Sequence, residues 1–179
     1  MKATGIIRKI DDLGRIVIPK EIRKNLKIRE GDPIEIYVEQ SGEIVLKRYA
    51  PFGDKIDELF SIAEAINKNT GFSVYITDTK KIIAISSKNR STNLDRMLSV
   101  DLLQILDERR IWINKKDKGV KIIEGEHHDN YIIQVVSPII CEGDILGSII
   151  LFSENSVKNV TEVDLKILQT ATDFLSCQM

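Results

Sequence analysis

The first fifty residues carry four short apolar runs and one two-turn helix before Pro51 and Gly53 punctuate the chain, and a unit of that size buries little surface by itself. Residues 3–10 (ATGIIRKI) and 15–18 (RIVI) read as strands around a turn at Asp11-Asp12-Leu13-Gly14, where Gly14 suits a positive-φ position. Pro19 falls where a helix would begin, its missing N–H costing little there, and the spacing predicts a helix over 19–27. Lys20, Arg23, Lys24 and Lys27 recur at i, i+3, i+4 and i+7 as one stripe, with Ile22 and Leu26 opposite. IEIYV (34–38) and EIVLKR (43–48) alternate around Gln40-Ser41-Gly42 as a hairpin. The chain has two cysteines, Cys141 and Cys177, with neither CxxC nor zinc spacing, so no disulfide framework or structural metal compensates for the small core. Ile16-Val17-Ile18 is apolar on both faces, which suits strands sandwiched in an intermolecular sheet. Residues 1–52 are therefore expected to form an obligate dimer.

Charge divides along the same line. Residues 1–29 carry +6, residues 30–48 carry −3 and residues 49–179 carry −4, so a formal net charge of −1 conceals a basic end. A basic cluster at one end of a neutral protein reads either as a solvated basic face or as the electrostatic footprint of a nucleic-acid partner. The longest apolar stretch, 145–152 (ILGSIILF), is interrupted by Gly147 and Ser148 and falls short of the roughly 18 residues of a membrane helix. MKATGIIRKIDD contains no apolar core of signal-peptide length, so a cytoplasmic location and no membrane partner are expected.

The remainder, 53–179, has the pattern of a second domain. A helix is predicted over 54–70 with Gly71 as its stop, then an antiparallel pair at 72–78 and 81–86 and a polar loop at 87–96. A helix over 98–110 points Leu98, Leu102, Leu103 and Leu106 inward, and strands follow at 120–124, 131–140 and 144–152. The last helix, 162–177, opens with Thr161 as N-cap, Asp164 at N3, and Val160 and Leu165 as a hydrophobic staple. Its expected apolar face is Val163, Ile167, Leu168, Ala171, Phe174 and Leu175. The order α-β-β-α-β-β-β-α describes an α+β, sensor-like domain around an antiparallel sheet.

Catalytic chemistry is not indicated. His127 and His128, between Glu126 and Asp129, invite a metal or general-base reading, but neighbours on an extended chain point to opposite sides and do not chelate one ion. They read as a surface turn. The thiols have no close basic neighbour to lower their pKa, and no nucleophile elbow, Gly-rich phosphate loop or HExxH occurs. No catalytic residue, metal ligand or cofactor is assigned.

Residues 3–49, including TGIIRKIDDLGR, IVIPKEIRK and EIYV…EIVLKRY, resemble the AbrB-type swapped-hairpin DNA-binding domain of bacterial transition-state regulators almost without interruption. The resemblance implies a β-barrel formed by two chains whose hairpins interleave, presenting basic residues to double-stranded promoter DNA. The positions matching the family's DNA-contacting arginines are Arg8, Arg15 and Arg23; Lys24 stands where a further arginine is frequent, keeping the phosphate charge but losing bidentate base recognition. Lys9, Lys2 and Lys20 are weaker candidates, and Asp11 and Asp12 read as turn formers that orient Arg8 or Arg15. The second domain resembles the GAF class, for which the expected role is oligomerisation, a homotetramer built from dimers, with an unidentified small-molecule effector in addition; its ligand residues are unknown. Together the two resemble regulators, activating and repressing, of late, forespore-stage sporulation genes, in a nucleoid-associated protein. The alternative is an antitoxin repressing its own promoter, since toxin–antitoxin modules share the small fold. Antitoxins usually end in a short disordered acidic tail, whereas a periodic, capped domain follows here.

Overall fold

The computed structural model describes residues 5–26, 28, 30–31, 33–53, 55–87, 92–114, 119–125, 131–154 and 158–178. The chain divides into two compact units, Met1–Ala50 and Pro51–Met179.

In the first unit, helix α1 spans Lys20–Asn25, and strands β1 (Ile34–Val38) and β2 (Ile44–Arg48) pair antiparallel from Ile34↔Arg48 to Val38↔Ile44. The hairpin closes through Glu39 N–H donating to the Glu43 carbonyl at 2.9 Å, with Gly42 at φ +84°. Pro19 is the N-cap of α1 rather than its first helical residue, its ψ of 149° being extended, so the helix is shorter than the pattern suggested. Residues 5–18 form a turn at 12–14 and no strand within the chain, against the expectation of strands at 3–10 and 15–18, of which residues 3 and 4 lie outside the described residues. Apart from Pro19, none of the described residues of this unit is buried. A strand needs a ladder partner, and the turn itself is closed by Asp11 N–H donating to the Arg15 carbonyl at 3.1 Å.

The second unit is a three-layer structure. Helix α2 (Ile56–Thr70) leads into β3 (Ser73–Asp78) and β4 (Ile82–Ser86), then α3 (Val100–Asp107), β5 (Trp112–Ile113), β6 (Tyr131–Cys141), β7 (Asp144–Glu154) and α4 (Glu162–Cys177). The sheet order is β4-β3-β7-β6-β5, antiparallel throughout. Strand alternation gives each face its own core. Val74 and Ile76 of β3 join Ile149 and Leu151 of β7 against Leu59, Ala63 and Ile66 of α2 and Leu168 and Leu175 of α4. Tyr75, Ile150 and Phe152 point the other way, onto Leu102 and Leu106 of α3 and onto Ile122 and Ile123. A bulge between Ile133 and Val135 sends these two residues to opposite faces. The intervening Gln134 is buried, and its amide donates to Ser153 Oγ at 2.9 Å.

Helix ends follow their chemistry. Gly71 closes α2 in the left-handed conformation, and Thr161 and Asp164 form the reciprocal capping box of α4. The β6–β7 turn, Glu142-Gly143, has positive φ at both residues, the type I′ requirement of a two-residue hairpin.

Two expectations fail here. Residues 120–124 form no strand: Ile122 and Ile123 are consecutive yet both buried in one core cluster, which a two-sided strand forbids, and only a single bridge links Ile123 to Leu98. The fifth element is instead Trp112–Ile113, paired with Val136 and Val135. Leu98 precedes α3 rather than lying in it, because Ser99 is the N-cap, its Oγ accepting from Leu102 N–H at 3.1 Å.

Candidate nucleic-acid interface

The turn at 11–14 is organised by one carboxylate. Asp11 Oδ1 accepts the backbone N–H groups of Leu13 at 3.0 Å and Arg15 at 2.8 Å, and Oδ2 accepts Arg15 Nε–H at 2.7 Å. The backbone closes the same loop, Asp11 N–H donating to the Arg15 carbonyl and Gly14 N–H to that of Asp11. Gly14 stands at φ +76°, where a Cβ would be strained. Backbone and side-chain donation from Arg15 holds the Asp11 carboxyl below its ordinary value, so it is ionised throughout the neutral range.

Arg15 itself stays accessible, its side chain 69% exposed. Arg8 and Lys9 are exposed on the flank before the turn, and Arg23 and Lys24 are exposed in the last turn of α1. Among the described residues none of these four is held in an ion pair, so their charge is available to a partner. Lys20 is exposed; Lys2 and Lys27 lie outside the described residues. Of the two turn aspartates, Asp11 engages Arg15, and Asp12 is exposed.

The unit is also conspicuously apolar outside. Thirteen of the eighteen exposed large apolar side chains among the described residues belong to it, including Ile7 at 87%, Val17 at 71% and Val38 at 74%. Monomeric proteins rarely leave such a surface uncovered.

A second apolar surface lies on the other unit. Ile62 and Ile66 of α2 and Val163, Ile167, Ala171 and Phe174 of α4 line an open groove of about 490 Å³. The sequence pattern assigned all of the α4 residues to one inward face. The structure buries Leu168 and Leu175 and leaves Val163 64% and Phe174 50% exposed. The width of the apolar stripe, exceeding what one packed helix face needs, was the available signal.

His127 and His128 lie outside the described residues, and among the described residues no cluster of three or more His, Cys, Asp or Glu could hold a metal ion. Cys141 is half-buried and Cys177 exposed. No described helix is long and apolar enough to cross a membrane.

Comparison with known proteins matches both units. Residues 58–179 match the family described as stage V sporulation protein T C-terminal, transcription factor, and residues 7–54 match antidote-toxin recognition MazE, bacterial antitoxin. Stage V sporulation protein T of Bacillus subtilis (strain 168) is 41% identical over 181 residues, covering 100% of this chain and 99% of that protein. Transition state regulatory protein AbrB of the same organism is 57% identical over 51 residues, 28% of this chain and 52% of AbrB. Among solved structures, the GAF domain from Acinetobacter phosphoenolpyruvate-protein phosphotransferase superposes with a TM-score of 0.56 at 13% identity, covering 69% of this chain and 80% of that chain, a likeness of fold alone. The antitoxin reading has the weaker support, since its match stops at residue 54 and the larger unit matches a transcription factor. The chain belongs to the stage V sporulation protein T family of sporulation transcription regulators, with an AbrB-like DNA-binding domain followed by a domain of GAF-like fold.

Proposed function

We propose that residues 1–52 of two chains interleave into one barrel that binds double-stranded promoter DNA through Arg8, Lys9, Arg15, Arg23 and Lys24, and that residues 53–179 join two such dimers into a homotetramer. The protein would activate some and repress other late, forespore-stage genes, working by binding rather than catalysis, in the cytoplasm on the nucleoid. An unidentified small-molecule effector acting on the GAF-like domain would fit the same scheme. The observation that carries this reading is an exposed basic turn and helix on a unit whose apolar surface is uncovered. A second chain covering that surface could pair with residues 5–18, which form no strand within one chain. The α2–α4 groove supports the further association: a second copy would bury Phe174 and Val163, which no described residue of the same chain covers fully.

Binding of the full-length chain to a promoter fragment across a salt series tests it. If Arg8, Arg15, Arg23 and Lys24 of two chains neutralise phosphates, about eight counterions are released and the log–log slope is roughly −7. A slope near zero would remove the interface.

A further inference from the structure

We propose that Asp11 is a specificity-determining positioning residue, which fixes the edge through which Arg15 meets DNA by occupying its Nε–H. The inference rests on the reading of Arg15 as a DNA contact and adds to it a division of labour between two oxygens. Asp11 Oδ1 serves the backbone, accepting from Leu13 and Arg15 N–H, whereas Oδ2 serves the side chain, accepting Nε–H at 2.7 Å. Turn and clamp are thus separable.

A guanidinium has five N–H donors in a planar fork. An unrestrained arginine can meet a guanine or a phosphate through its Nε side or through its two terminal Nη groups. With Nε–H committed to Asp11, the Nη edge is the one presented, and the loss of side-chain freedom is incurred before DNA arrives. The carboxylate has a second consequence. Beside the guanidinium it offsets that charge at a distance, so the pair contributes less to sequence-independent attraction while keeping its directional donors. Both effects act in the same direction. They favour a base edge that accepts two parallel N–H bonds over an arbitrary phosphate.

Asp11→Asn separates clamp from turn in the full-length chain, because the amide retains one acceptor oxygen for the two backbone N–H groups and replaces the other with a donor that cannot receive Nε–H. The probes are a duplex enriched from a random library by the wild-type protein and a scrambled duplex of the same composition. The expected result is tighter binding of the scrambled duplex and a fall of about tenfold in the affinity ratio between the two, within the range that one misdirected bidentate contact commands. In an Arg15→Ala background the same substitution should leave the ratio unchanged. Arg15→Lys, which keeps the turn carboxylate and the charge but has no planar fork, should also lower the ratio while preserving scrambled-duplex affinity. The Arg15 Nε–H resonance should be protected from exchange in the wild type and lose protection in Asp11→Asn.

A ratio within twofold of wild type in both Asp11→Asn and Arg15→Lys overturns the clamp. So does an Asp11→Asn effect that persists undiminished without Arg15, which would make the residue a turn former only. Arg15→Ala binding both duplexes like wild type would instead remove the DNA contact itself, a separate failure that takes the clamp with it.

Discussion

Gly147 of β7 faces the carbonyl of Thr77 on β3 so closely that a Cβ built on it would stand 1.9 Å from that oxygen and 2.9 Å from its carbon. The neighbouring side chains prevent an easy retreat, since Thr77 Oγ1 and Ser148 Oγ share a buried hydrogen bond of 2.8 Å. Gly147→Ala is therefore expected to push two central strands apart, at a cost of about 2–4 kcal/mol, with a fall in Tm on the order of 10 °C. Gly119→Ala is the control, because its Cβ would meet nothing within 4 Å and the residue has no positive φ. Thermal melts of both variants decide the matter; equal Tm values would mean the strand contact is not a constraint.

The cap of α4 gives a smaller, local expectation. Thr161 Oγ1 accepts from Asp164 N–H at 3.2 Å, and Asp164 Oδ2 accepts from Thr161 N–H at 2.8 Å. Thr161→Ala should cost about 1 kcal/mol, whereas Thr161→Ser retains the acceptor and should lose a few tenths at most. Denaturant midpoints at unchanged slope would measure it, and a Thr161→Ala midpoint equal to wild type would refute it.

Local signals of this kind were legible from the residues. Thr161-x-x-Asp164 placed the start of the last helix and Gly71 the end of α2, because each is a backbone requirement that few residue types satisfy. What failed depended on partners far along the chain or in another one. Ile122 and Ile123 look like strand residues but plug a core beneath α3, and Trp112-Ile113 pairs with β6 without any pattern long enough to read. Residues 3–10 and 15–18 read as strands from their apolar runs, and the described part of them, 5–10 and 15–18, forms no strand inside one chain. At the basic turn the sequence left Asp11 orienting either Arg8 or Arg15; only geometry distinguishes them, since the spacing of four residues across the turn brings Arg15 back over Asp11. The α4 stripe misled in an informative way. Its apolar residues are wider than one packed face, and the surplus lines the groove.

That surplus leads to a prediction about assembly. Phe174→Glu puts a charge into the groove at a side chain already half exposed, so the fold should melt within roughly 0.5 kcal/mol of wild type. If a second copy seats there, burying the carboxylate becomes costly and the full-length protein should sediment as a dimer. Affinity for a fragment with two adjacent sites should then drop while that for a single site holds, because effective concentration is lost without any DNA contact being touched. A Phe174→Glu tetramer would place the contact between dimers elsewhere.

The interface is tested most directly at Arg15, whose side chain is exposed and whose bonds within the chain are to one turn residue. Arg15→Ala removes one charge contact from each subunit, so the salt slope should become shallower by up to about two units per dimer, and by less to the extent that Asp11 already offsets the Arg15 charge. Melting should stay close to wild type, since Asp11 Oδ1 still accepts the Leu13 and residue-15 backbone N–H groups. Arg96→Ala removes an exposed charge from the second unit and should leave both affinity and slope unchanged. Fluorescence anisotropy on one promoter fragment, repeated across the salt series for each variant, separates these outcomes. Should Arg15→Ala bind with wild-type affinity and slope, or lose binding only as it unfolds, Arg15 is not a DNA contact and Arg8, Lys9 and the basic residues of α1 must carry the interface.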